Sequence, residues 1–130
     1  MRARAALPAL LLATAACTGG GSSFAQPKAS AFAPGGCHDL AASVLSIGRD
    51  LHGLGTRAPS TKQAEAIKTH QTQIRAISKG VAGELQPRVQ KLITTVGILR
   101  IRNDTDSYDA SLAKDAMTAY QELVSACTSS

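Results

Sequence analysis

The chain has 130 residues, enough for one domain, with a formal charge of +5, no tryptophan, two tyrosines and two phenylalanines. Arg2 and Arg4 belong to a leader that is removed, which leaves 12 basic and 9 acidic residues, a net +3. So mild a balance excludes a nucleic-acid binder, whose footprint is a strongly basic patch or stripe.

Met1–Arg4 carries two arginines, and the apolar run Ala5–Ala16 is broken only by Pro8 and Thr14. A bilayer span needs roughly 20 apolar residues, so this run is too short to remain in a membrane and reads as an export signal over residues 1–16. Two processing points fit. Thr14-Ala15-Ala16-Cys17 resembles the lipobox of bacterial lipoproteins: the small pair and the cysteine match, while Thr14 stands where leucine is usual. The resemblance covers only the first 20 or so residues. It implies that Cys17 is lipidated, becomes the mature N-terminus and holds the protein on the outward face of the cell membrane. Alternatively, Ser23-Phe24-Ala25 offers a small-x-small site, with a cut before Gln26 and release of a secreted protein. That cut leaves nine residues, Cys17 to Ala25, between the apolar run and the scissile bond, which is long for such a site.

Either cut removes Cys17 from disulfide chemistry and leaves Cys37 and Cys127 as an even pair. Outside the cytoplasm such a pair is expected to form one bridge. Residues 17–36 are Gly, Ser, Ala and Pro apart from Cys17, Thr18, Gln26, one lysine and two isolated phenylalanines. They show no periodicity and read as a flexible tether with a reach of roughly 25 Å. The folded domain is then residues 37–130.

Within it, Cys37, Leu40, Val44, Ile47, Leu51 and Leu54 recur at spacings of 3 and 4, a helical stripe. Gly53, Gly55 and Pro59 end it. Ser60 followed by Gln63 reads as a capping box opening a second helix, with the stripe Ala64, Ile67, His70 or Gln71, Ile74, Ile77 and Val81. Pro87 argues that this helix has ended, because proline breaks a helix interior. Val89, Leu92, Ile93, Val96 and Leu99 form a third stripe. Its core "ITTVGILRI" is rich in β-branched residues, but a lone strand has nothing to pair with, so helix is predicted. "NDTDS" is a turn with Asp106 as the expected cap, and the fourth helix carries Tyr108, Leu112, Ala116, Ala119 or Tyr120, Leu123 and Cys127.

The cysteines discriminate between helix counts. Cys37 begins the first stripe and Cys127 ends the last, and bridged α-carbons must lie within ~7 Å. In an up-down arrangement that requires an even number of helices. The prediction is therefore an all-α, four-helix up-down bundle stapled by one terminal disulfide.

Sites of known chemistry are poorly matched. His38, His52 and His70 include no i,i+4 pair, there is no HExxH or CxxC, and no cofactor or metal is expected. Asp104, Asp106 and Asp109 lack the glycine and glutamate of an EF-hand loop and read as turn and cap residues. Two surface features remain as a partner surface. Ile98 and Ile101 fall on a different face from the third stripe: either that helix buries a widened face, the favoured expectation, or they form a docking patch, with Ile98 the more buried. Arg75, Lys79, Arg88 and Lys91 flank the reversal between the second and third helices and would gather at one bundle end. The expected function is a non-enzymatic binding or structural role at the cell envelope, toward an envelope protein or an anionic polymer. The alternative is a secreted bundle that binds a small apolar or metal-containing ligand between its helices.

Overall fold

The computed structural model describes residues 24–129; the expected export signal over residues 1–16, Cys17 and the first part of the expected tether lie outside the described residues. Four helices follow one another, α1 (Gly36–His52), α2 (Thr61–Ser78), α3 (Leu85–Asp104) and α4 (Ala110–Thr128), with no strand among the described residues. Each packs on its neighbours in the chain, and α4 closes the ring against α1. This is the up-down bundle that the stripes predict. Cys37 and Cys127 are bridged, their α-carbons 5.4 Å apart, so the first and last helices end side by side as the even count requires.

Local chemistry explains the helix ends. The Ser60 hydroxyl accepts the Gln63 backbone N–H at 3.1 Å and the Gln63 side-chain oxygen accepts the Ser60 N–H at 2.9 Å, so α2 opens on the expected capping box. At its other end the chain reverses through residues 79–84, where Gly83 takes a left-handed φ of 71°. The Gln86 side-chain amide donates to the carbonyls of Ser78 and Val81 and ties that reversal to the start of α3. Pro87, read from sequence as outside any helix, lies in the first turn of α3. Its missing N–H belongs there to a turn whose N–H groups have no intrahelical partner, so proline costs little.

The β-branched stretch is helical, as predicted. Val89, Leu92, Ile93, Val96 and Leu99 are all buried on one stripe, and burial worth roughly 1.5–3 kcal/mol per large side chain exceeds propensity deficits of a few tenths. The start of α4 differs from expectation. Asp109, extended at φ −150°, caps it by accepting the Ser111 N–H at 2.7 Å, whereas Asp106 sits in the preceding turn at φ 56°. An N-cap needs an extended backbone one residue before the helix, and only Asp109 has it. Tyr108 therefore precedes α4.

The largest correction concerns the tether. From Phe24 onward the stretch is packed against the bundle. Phe32 is only 4% exposed and belongs to the core. The Phe24 ring stacks on His52 at 4.4 Å and lies 6.0 Å from the Tyr120 ring. A 3₁₀ turn at Ala29–Ala31 lies on α1, and Ala33 N–H donates to the Cys127 carbonyl at 2.8 Å. Residues 24–34 thus form a strap that runs antiparallel to α1, from the α1 C-terminus back to the disulfide. The groove between α1 and α4 needs covering. Ala41, Leu45 and Gly48 make a second buried face on α1 beyond its main stripe. The helical core, whose buried aromatic ring is Tyr120, is completed by a phenylalanine from outside the helices.

Candidate functional site

The strap is held by polar as well as apolar contacts, and they converge on Gln26. Its amide nitrogen donates to the Leu45 carbonyl at 2.9 Å and to the Tyr120 hydroxyl at 2.8 Å, and its oxygen accepts from Arg49 at 3.1 Å. The chain can come this close because residue 48 is glycine: a β-carbon there would stand 2.4 Å from the Tyr120 ring and 2.9 Å from the Gln26 amide nitrogen. Burial raises the Tyr120 phenol above its ordinary value, against the opposing pull of the Gln26 hydrogen bond and the Arg49 charge. Tyr108 is raised as well, by burial first and the Asp109 carboxylate second.

These shifts have a definite sign. A phenol whose folded pKa lies above its unfolded value contributes stability that is fully present below about pH 10 and lost as pH rises through the folded value. With two tyrosines and no tryptophan the measurement is clean. Absorbance titration of the folded protein should show both phenols ionising above pH 10, and the melting temperature should begin to fall there. Ordinary titration of Tyr120 at pH 10 would mean that its ring is not covered by the strap.

At the α1–α2 seam, His70 Nδ1 and Asp50 Oδ2 are 2.5 Å apart and both side chains are mostly covered. On α2 the stripe residue is Gln71, not His70. Gln71 is 1% exposed, donates to the Ile93 carbonyl of α3 at 2.9 Å, and accepts from Arg100. Sequence spacing left the two adjacent positions undecided, and a buried glutamine with both ends satisfied resolves them. Above Gln71 lies a cleft of ≈ 130 Å³ whose wall includes Glu65, Lys68, Arg100, Asn103 and Asp104. It is smaller than ordinary small-molecule sites, and Pro59, Ala64, Ile67 and Leu99 share its wall with those polar and charged groups. Among the described residues no three His, Cys, Asp or Glu side chains come together, and no helix is long and apolar enough to cross a membrane.

The basic residues at the reversal share the disulfide end of the bundle, since α2 finishes and α3 starts there. Their surroundings differ. Lys91 pairs with Glu122 of α4 at 2.9 Å, and Arg88 donates to the Glu84 carbonyl of its own first turn. Arg88 also borders a shallow hollow with Gln121 and Ser125 of α4 and Ser129 just after it. Arg75 and Lys79 lie exposed at the end of α2.

Ile98 and Ile101 are not core. They are 45% and 64% exposed, the large exposed hydrophobics among the described residues, so the expectation of a widened buried face on α3 is wrong. The second buried face belongs to α1, where the strap provides cover; among the described residues nothing covers Ile98 and Ile101 on the outer side of α3. The order, with Ile98 the less exposed, does hold. Changing Ile101 to Ser should alter stability by no more than about 0.5 kcal/mol and Ile98 to Ser only slightly more, whereas Leu99→Ala should cost about 2–5 kcal/mol. Thermal melts of the three variants check this. Sedimentation of the two serine variants against wild type shows whether the exposed pair supports self-association.

The chain matches no family model, and comparison with curated proteins and with solved structures finds no match.

Proposed function

We propose that the mature protein is a non-enzymatic helical bundle, anchored at the cell envelope by a lipid on Cys17, which presents charged surface to an envelope protein or anionic polymer. The observation that carries this reading is the strap. A cut after Ala25 would discard Phe24 and leave Gln26 with a free α-amine beside its own side-chain amide. N-terminal glutamine cyclises: the α-nitrogen bonds to Cδ, the Cδ–Nε2 bond breaks and ammonia leaves. The nitrogen lost is the one that donates to the Leu45 carbonyl and the Tyr120 hydroxyl. Cleavage at Cys17 keeps Phe24 and leaves the Gln26 amide intact, so the packing of the domain favours the lipobox cut over the secreted form. A bridged cysteine pair is in keeping with an exported, oxidising location.

The test is the Cys17→Ser variant, expected to leave the membrane fraction or to accumulate as unprocessed precursor. Wild-type protein found wholly soluble, with Gln26 at its N-terminus, would overturn the reading.

A further inference from the structure

The strap does more than cover a groove, because it decides where the chain leaves the bundle. Phe24 stacks on His52, the last residue of α1. This is the end that carries the α1–α2 connection and the turn between α3 and α4, opposite the disulfide and opposite Arg75, Lys79, Arg88 and Lys91. Six residues separate Cys17 from Phe24. Even fully extended, those seven steps cover at most about 25 Å, at ~3.3–3.6 Å per residue. The 20-residue α3 alone is about 30 Å long at 1.5 Å per residue. A lipid on Cys17 therefore holds the His52 end within about 25 Å of the bilayer, less than one bundle length, and leaves the Gly80–Gly83 tip as much as a bundle length farther away.

We propose that the protein is oriented: the end holding His52, the α1–α2 connection and the α3–α4 turn faces the membrane, and the disulfide end with its basic residues faces away from it. The proposal rests on lipidation of Cys17 and adds a direction to it. It makes the basic end a surface for partners across the envelope space and removes it as a contact for the headgroups of the anchoring membrane. The flexible tether over residues 17–36 read from sequence would have imposed no such direction. With the strap docked, six residues join Cys17 to Phe24.

The chain has no tryptophan, so single tryptophans report position without interference. Thr56→Trp and Arg57→Trp mark the α1–α2 connection; Lys79→Trp and Ala82→Trp mark the opposite tip. All four positions are exposed. Each lipidated full-length variant is inserted into phosphatidylcholine vesicles carrying a dansyl-headgroup lipid, where only the anchor holds the protein, and energy transfer from tryptophan is measured. Transfer several-fold greater from positions 56 and 57 than from 79 and 82 is expected. Two variants per end keep the comparison possible if one misfolds, which far-ultraviolet circular dichroism detects. Equal transfer from both ends, or greater transfer from 79 and 82, would overturn the orientation while leaving the anchor standing. Wild-type protein that fails to float with the vesicles would overturn the anchor, and the orientation with it.

Discussion

Replacement of both Cys37 and Cys127 by serine is expected to lower the melting temperature by roughly 15–40 °C. The two residues are 90 apart in sequence. Loop-closure entropy for a ring of that size corresponds to about 4–5 kcal/mol, and each kcal/mol is worth about 4–8 °C in a domain of around 100 residues. Two features of the fold place the effect at the upper end. The core is built from aliphatic side chains with Phe32 and Tyr120 as its only buried aromatic rings among the described residues, so reserve stability is small. The bridge also sits where the strap ends, beside the hydrogen bond from Ala33 to the Cys127 carbonyl, so its loss frees three chain segments together. Thermal melts of wild type, reduced wild type and the double variant decide the matter. Thiol labelling of native and denatured wild type should find neither cysteine free. A double variant as stable as wild type would mean that the α1–α4 contact closes the bundle without help.

Alanine at Gly48 and at Gly97 should have opposite effects, though both are mid-helix glycines where alanine ordinarily gains about 1 kcal/mol. At 97 the new β-carbon would meet only the Gln71 amide nitrogen, at 3.4 Å, an ordinary contact. Gly97→Ala is therefore expected to be neutral or to stabilise by up to about 1 kcal/mol. At 48 the new atom would lie 2.4 and 2.5 Å from two atoms of the Tyr120 ring, and the buried ring must move. Overpacking of this kind costs about 1–3 kcal/mol, and here displacement of the ring also breaks its hydrogen bond with Gln26 and uncovers Phe24. Gly48→Ala should be destabilising despite its better helix propensity, and its tyrosine titration should shift back toward pH 10. If Gly48→Ala melts with wild type while Gly97→Ala is worse, the close approach of strap, α1 and α4 is wrong.

Helix stripes were legible because periodicity is a local property. Cys37, Leu40, Val44, Ile47 and Leu51 bury one face whatever they pack against, and Ser60 with Gln63 closes its own hydrogen bonds without help from the rest of the chain. The parity of the helix count was legible too, because a covalent bridge between the first and last stripes is a long-range constraint that two residues state by themselves. The resemblance at Thr14–Cys17 is of the same local kind, and it bears only on processing.

What the tertiary structure alone decided has no local signal. Phe24, Gln26 and Phe32 lie in a stretch of Gly, Ser, Ala and Pro with no repeat, and their burial follows from a groove made by two helices that are distant in sequence. Whether His70 or Gln71 faces inward depends on where α3 offers a carbonyl and an arginine. Whether Ile98 and Ile101 are covered depends on which side of the bundle receives the strap. Each is a question of what stands opposite a residue. A pattern along one chain fixes which residues share a face, but the element that covers that face is chosen only when the whole chain has packed.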